Sequence, residues 1–304
     1  MFIFKTNRLK KPIIGINNFL FIILLILIYN ERINYGLIDE GPADPAAAAS
    51  VEETPLNDNK IFMIINKTIK SEIINDAYYD RIENIMINNN NPVNIENYNN
   101  SIYKSELEIN YITIHFKNNI NLTSCAYMFY NLSNIIYINL SDFNFQSYNV
   151  TNMEYMFSGC KSLLSINLGS FRNSDKGVNM NNMFSGCSSL LTLNISFFFL
   201  GSSHTTKVTN INSMFYECNS LVSLDIRNFK TSQVTDMRNT FANCSSLKIL
   251  NINNFDTSSV TDMTNMFFGC SSLLSLNLNN FNTSSLSSYE DMFKNLNTNL
   301  NNLF

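Results

Sequence analysis

Residues 260–281 read VTDMTNMFFGCSSLLSLNLNNF, and related versions of this stretch recur through the second half of the chain. Each copy carries a Met-Phe or Thr-Phe pair, and the pairs begin at Met128, Met156, Met183, Met214, Thr240, Met266 and Met292. The intervals between them are 28, 27, 31, 26, 26 and 26 residues. A regular period of this length is typical of a solenoid, in which each repeat adds one coil to a stack.

The apolar spacing changes half-way through the unit. Its first half has apolar residues three or four positions apart, which indicates one face of a short helix: Val260, Met263, Met266, Phe267 and Cys270. Thr261 suits the start of that helix and Gly269 its end. Leu276 and Leu278 then alternate with polar residues, as in a half-buried strand. The sequence therefore predicts an α/β repeat solenoid, a leucine-rich-repeat-like stack of short helix plus strand units with one parallel sheet face.

Equivalent positions of successive units carry the same residue types, which predicts a continuous core. One column follows the Met-Phe pair and contains Cys160, Cys187, Cys218, Cys244 and Cys270. Another closes each unit and contains Phe143, Phe171, Phe198, Phe229, Phe255 and Phe281. We expect the phenylalanine column to form a buried stacking spine.

A polar column lies between the two inward-facing apolar positions of each predicted strand. It contains the candidate binding residues Asn139, Asn167, Asn194, Asp225, Asn251 and Asn277. Strand alternation places these side chains on the solvent side of the sheet. Two interpretations remain open: a polar ladder whose amides pair along the stack, or a strip that binds a polar ligand together with the flanking Ser and Thr residues.

The repeat pattern V-T-x-M-x-x-M-F-x-x-C-x-S-L-x-x-L-x-L-x-x-F-x-T-S resembles the BspA-like class of leucine-rich-repeat surface proteins over roughly residues 108–296. Thr240 departs from it where Met is usual, and an insertion around 199–204 lengthens one unit. The resemblance implies an exported protein, displayed on a cell surface and associated with adhesion or with binding to host or matrix partners. It implies no enzymatic activity and provides no catalytic residues.

Composition and residue spacing exclude several function classes. The net charge is −4 and the repeat region lacks basic clusters, so we expect no nucleic-acid partner. No C-x-x-C pair occurs, and we predict no metal and no cofactor. The six cysteines fit small buried residues, although adjacent coils could bring two thiols within disulfide range. The repeat supplies no paired carboxylates for glycoside hydrolysis, and Asp142 and Glu154 fit solvated positions better.

The chain divides into four regions. Residues 1–30 place basic residues before an apolar run at 19–29, which indicates a cleaved signal peptide, an uncleaved signal-anchor or a buried helix. A linker is predicted at 31–60, followed by a poorly defined and possibly helical region at 61–107. The solenoid occupies 108–304 and begins with a cap strand at 111–116.

These observations together predict a non-enzymatic cell-surface or secreted module that binds or adheres through its strand face. Its partner would be an extracellular protein or glycan, and an uncleaved N-terminal segment would also contact the membrane. The alternative is a structural surface-coat repeat without a specific ligand. A carbohydrate-active enzyme would need carboxylates brought together from 50–110.

Overall fold

The computed structural model describes residues 59–66, 73–88, 93–94, 109–117, 122–143, 150–168, 177–195, 208–227 and 229–297. The predicted signal or anchor segment and nearly all of the predicted linker lie outside these residues. The described strands are β1 Lys60–Asn66, β2 Ile82–Ile87, β3 Val93–Asn94, β4 Ile109–Phe116, β5 Ile135–Asn139, β6 Ser165–Asn167, β7 Val178–Asn179, β8 Thr192–Asn194, β9 Val208–Asn210, β10 Ser223–Asp225 and β11 Ile249–Leu250. A short 3-10 helix spans Asp76–Arg81.

An antiparallel sheet caps the first coil. Its strands join the first two coil strands in a six-stranded sheet of order β3-β2-β4-β1-β5-β6. The expected cap strand is present as β4, but β1 lies between β4 and the first coil strand and pairs with both in antiparallel register. Strands and a 3-10 helix therefore occupy the described parts of 61–107, where the sequence pointed to possible α-helices.

Each coil contributes two short extended stretches to parallel ladders. One ladder follows the predicted strand column, with β5 pairing to β6 and β8, β10 and β11 forming a parallel sheet. The other precedes the Met-Phe pair and includes β7 with β9 and bridges such as Asn152 to Asn179 and Asp236 to Asp262. The apolar columns between the two ladders form one buried cluster that continues into the cap.

The predicted helix-plus-strand unit is wrong, because the described residues contain no α-helix. A chain of turns replaces the helix, and its amides alternate between two kinds of acceptor. Met156, Ser158 and Cys160 donate to carbonyls three residues earlier in the same coil, at 3.1–3.2 Å. Tyr155, Phe157 and Gly159 donate to carbonyls of the next coil, at 2.8–3.0 Å. Inward residues recur every three or four positions in both arrangements, so apolar spacing alone did not separate them.

Two residues of every turn segment adopt a left-handed backbone, which an α-helix excludes. The first precedes the Met-Phe pair: Tyr127, Tyr155, Asn182, Ser213, Asn239, Asn265 and Asp291, with φ from 53° to 60°. The second lies four positions later: Asn131, Gly159, Gly186, Glu217, Asn243, Gly269 and Asn295, with φ from 58° to 77°. Gly and Asn accept this conformation most readily, which explains their recurrence here.

A face-to-face stack of phenylalanine rings runs through the core. It is formed by the Met-Phe column rather than by the column in which we expected a spine. Its centroids are 5.3–6.1 Å apart and its ring planes lie within 13° of parallel along Phe129, Phe157, Phe184, Phe215, Phe241, Phe267 and Phe293. In the expected column Phe143, Phe229 and Phe255 are buried and Phe281 is partly buried. Phe171 and Phe198 lie outside the described residues.

The cysteines are buried, as the sequence predicted, and all six are free thiols. In the five-residue column each Sγ donates to the Phe carbonyl of the preceding coil, for example Cys187 to Phe157 at 3.2 Å. Burial raises the pKa of Cys160, Cys218 and Cys270 to about 12. Burial also places the pKa of Cys187 and Cys244 well above the ordinary value.

The backbone at Gly159 provides a test of the coil geometry. A Cβ there would lie 3.2 Å from the Cα of Asn131, whereas a Cβ at Gly186 would have 3.7 Å to its nearest neighbours. Gly186→Ala should cost about 1 kcal/mol through its positive φ alone. Gly159→Ala should cost about 1 kcal/mol more, because the neighbouring coil must also shift. Urea unfolding of both variants measures the difference in the free energy of unfolding. Equal losses of stability would show that Gly159 does not lie this close to Asn131.

The buried thiols predict a pH dependence of stability. The unfolded chain releases thiol protons above about pH 9 while the folded chain keeps them, so the folded state binds more protons there. Stability should therefore fall as pH rises from about 9 towards 12, by up to about 1.4 kcal/mol per pH unit for each thiol. Urea unfolding under reducing conditions at several pH values measures this slope.

Cys187→Ala provides the matched control for the thiol prediction. It removes one titrating group, so its stability should fall less steeply with pH by the contribution of a single thiol. An unchanged slope, or rapid reaction of the folded chain with a thiol reagent at pH 8, would contradict the burial of this column.

Candidate functional site

The exposed strand face carries the predicted binding column. Asn194, Asn251 and Asn277 are exposed, and Asn139, Asn167 and Asp225 are partly exposed. In four of the six, Oδ1 accepts a hydrogen bond from the N–H two residues later, at 3.0–3.3 Å: Asn139, Asp225, Asn251 and Asn277. Such Asx turns stabilise the bend after a strand. These four side chains therefore stabilise the bend that follows their own strand position, which differs from the predicted ladder of amides paired along the stack.

Two exposed members of the same column have side-chain amides that are free to meet a ligand. Nδ2 of Asn251 and of Asn277 has no hydrogen-bond acceptor among the described residues. Each Nδ2 carries two donor hydrogens. One side chain thus stabilises its own turn through oxygen and presents two donors to solvent through nitrogen.

Strand β11 and the stretch after it in the stack, which is bridged to β11 at Ser275, border an open cleft of about 460 Å³. Its lining consists of Ile249, Leu250, Asn251, Asn253, Ser275, Leu276, Asn277 and Asn279. Ile249 is 65% exposed, in a column that holds Ser or Thr in the neighbouring coils. The cleft thus combines an exposed aliphatic side chain with the amides of two predicted binding residues.

An exposed aliphatic row beside the strand face was missed in the sequence. Leu191 and Val222 are each 40% exposed, and Leu274 is 54% exposed. Strand alternation counted back from Leu276 places Leu274 on the inner side, so it reads as a core residue. The backbone of Leu274 is bonded to the preceding coil through its N–H and the carbonyl of Lys248, at 2.9 Å, but its side chain faces solvent. Lys248 in the same column is the sequence signal that this position faces solvent.

Aromatic side chains extend this face onto the cap. The ring of Phe62 lies 6.3 Å from that of Tyr111 and 6.4 Å from that of Tyr137. Phe62 is directly opposite Asn139 in the β1–β5 pairing, so the aromatic group and the polar column share one side of the sheet. Tyr111 is 45% exposed. No sequence pattern indicated this group, because Phe62 lies in the region 61–107 that the sequence left poorly defined, and its place beside Tyr111 and Tyr137 depends on the pairing of β1.

The acidic side chains near the repeats have neighbouring partners. Asp225 pairs with Arg227 at 2.7 Å, and Asp236 pairs with Arg238 at 2.6 Å. Burial alone would raise the pKa of Asp236, but hydrogen bonds from Arg238 and Asn212 outweigh it and lower the pKa. Such partly exposed pairs stabilise a protein by about 0–1 kcal/mol.

The two carboxylates considered for hydrolysis also have partners. Asp142 lies 3.7 Å from Lys60, and Glu154 accepts hydrogen bonds from Asn181 at 3.0 Å and from Asn179 at 3.4 Å. Within the described ranges, no group of three or more His, Cys, Asp or Glu residues is placed to hold a metal ion. No helix in that same part of the chain is long and apolar enough to cross a membrane.

A family model described as "Mycoplasma protein of unknown function, DUF285" matches the chain three times, at 96–221, 123–248 and 192–303. The matches overlap and together cover 96–303, which is 208 of the 304 residues. The chain belongs to the DUF285 family. The first two DUF285 matches are offset by 27 residues, the length of one coil, so the family model itself describes consecutive repeats.

The DUF285 match identifies a repeat family, and its description assigns no activity or ligand. It does not identify the BspA-like leucine-rich-repeat class that the repeat pattern resembles. No curated protein matches the chain, and no solved structure matches it.

Proposed function

We propose that this chain is a non-enzymatic binding module, secreted or displayed on the cell surface, that holds an extracellular protein or glycan on its exposed strand face. The observation that carries the proposal is the cleft at the end of the strand face, which is lined by the exposed Ile249 together with Asn251 and Asn277. Binding sites typically combine apolar surface with a few oriented polar groups, and this cleft has both.

The mechanism is contact by a pre-organised array. Each amide is held by its own Asx turn, and each coil is held by backbone bonds to the next. A ligand therefore meets donors whose directions are already fixed, which lowers the ordering cost of binding. Ile249 and Leu274 supply the apolar contacts that a peptide side chain or the apolar face of a sugar would cover.

The cap contributes a second element to the same face. Tyr111 and Phe62 present aromatic surface to solvent beside the first coils. Aromatic rings bury a large area at a low entropic cost, and they recur at recognition surfaces. A ligand long enough to contact several coils would meet aromatic, polar and aliphatic sections in turn.

The proposed location follows from the N-terminal sequence and from the repeat pattern. Basic residues before the apolar run at 19–29 have the composition of an export signal or a signal-anchor. The resemblance to BspA-like surface proteins supports export and adhesion, and it remains part of this proposal.

The strand-face proposal predicts a selective loss of binding. The variant Ile249→Ser/Asn251→Asp/Asn277→Asp keeps an acceptor oxygen for both turns but removes the apolar anchor and the amide donors. Saturable binding of the full chain to a printed glycan array, or to purified fibronectin, laminin and collagen, should weaken at least ten-fold, because truncating central contacts costs about 1–2 kcal/mol each.

Gln233→Glu is the control for that experiment, since it adds a negative charge at an exposed position outside the cleft. Its binding should match that of the unaltered chain, and urea unfolding should show that both variants are folded. Equal binding by the triple variant would remove the cleft from the function. Absence of saturable binding to every probe would favour the structural surface-coat alternative.

Cell fractionation tests the proposed location. Cells expressing the full chain should carry it in the membrane fraction or the medium, and sequencing its N-terminus distinguishes the two. A mature end between about residues 30 and 50 indicates cleavage and secretion. An intact Met1 in the membrane fraction indicates a tethered protein, whereas a full-length cytosolic chain would contradict export.

A further inference from the structure

The backbone hydrogen bonds that the turn segments donate to a neighbouring coil all run in one direction, towards the next coil in the sequence. Alternate N–H groups of each segment donate forwards to carbonyls of the next coil. Between the last two coils the donors are Met263, Asn265, Phe267 and Gly269, at 2.8–3.1 Å from carbonyl oxygens of the final coil. The coil nearest residue 297, at the forward end of the stack, is therefore left with N–H donors that have no coil to bond. The coil beside the cap, at the rear end, is left with carbonyl acceptors.

The final turn segment presents these donors to solvent. Its forward N–H groups belong to Tyr289, Asp291, Phe293 and Asn295, and none has an acceptor among the described residues. Each of these four residues is exposed. Phe293 is also the last ring of the aromatic stack, 6.1 Å from Phe267 and 38% exposed. We call this surface the end face.

The rear end of the stack is closed by residues of the cap. The N–H of Asn75 donates to the carbonyl of Met128 at 2.9 Å, and its Nδ2 lies 3.3 Å from the carbonyl of Tyr127. The hydroxyl of Tyr78 donates to the carbonyl of Ala126 at 2.8 Å. The chain thus covers three carbonyls of the acceptor end with its own donors, those of Ser124, Ala126 and Met128, while the described residues leave the donor end open.

We propose that the end face binds an extended polypeptide segment of another protein as an additional coil. The segment would supply backbone carbonyls at alternate residues to the four N–H groups and an aromatic side chain to the exposed face of Phe293. Main-chain addition to an unpaired edge is an established mode of peptide recognition. The repeat defines the required chemistry, because every internal coil already receives contacts of this kind from its neighbour.

Hydrogen-bond polarity excludes a second folded copy as the occupant. Two end faces in contact would oppose donors to donors. A head-to-tail contact would need the acceptor end, which Asn75 and Tyr78 already occupy. The partner therefore has to bring free carbonyl groups, as an extended segment does.

A peptide copied from the repeat tests the proposal. The probe is a fluorescein-labelled peptide of residues 258–273 in which Cys270 is replaced by Ser, and its anisotropy is measured with the full chain. We expect saturable binding that falls at least ten-fold in Phe293→Asp. Tyr130→Asp, which introduces the same charge at an exposed aromatic of the first coil, should bind the peptide like the unaltered chain.

Amide hydrogen exchange locates the bound peptide independently of any variant. Exchange resolved at single amides by NMR should be fast in the free chain at the four open N–H groups and at least ten-fold slower there with the peptide, namely at Tyr289, Asp291, Phe293 and Asn295. Protection elsewhere, binding of a scrambled peptide with equal affinity, or no saturable binding would overturn the proposal. Protection of these four amides in the free chain would show that its own residues cover the end face, and would also overturn the proposal.

Discussion

The division of backbone amides between two acceptors is the constraint on which the rest of the structure depends. In each turn segment before the last, alternate N–H groups bond within the coil and the others bond forwards to the next coil. Beyond its first turn, an α-helix would bond its amides internally, and side-chain packing alone would join the units on this side of the stack. Here the coils are joined by main-chain bonds, so the register between them is fixed residue by residue.

This backbone explains the unusual composition of the repeats. Two left-handed positions per coil favour Gly and Asn, and the bends after the strands use Asn or Asp oxygens as acceptors. Much of the asparagine is therefore structural. Bulky residues at left-handed positions are exceptions, as at Tyr127 and Tyr155, whose stacked rings lie 5.0 Å apart.

The backbone hydrogen bonds between coils also fix the orientation of the groups that the surface presents to a ligand. The outward amides of the strand face, the cleft around Ile249 and the donors of the end face are all oriented by backbone contacts that recur from coil to coil. The strand face presents side chains to a ligand, whereas the end face presents the main chain. The two surfaces would therefore select different partners, the first by side-chain chemistry and the second by the ability to add a coil.

The sequence by itself determined the period, the number of Met-Phe pairs and the inward columns, because each depends only on which residue types recur at fixed spacing. Burial of the cysteines and of Leu276 follows from those columns. Only the tertiary structure decided between helix and turns, because inward spacing is shared by both and the difference lies in where the amides find acceptors. It also decided which phenylalanines stack and that Leu274 faces solvent, since both depend on how neighbouring coils are placed. The position of β1 between β4 and the first coil strand, β5, also depends on pairing between residues far apart in the sequence, which a local sequence pattern cannot predict.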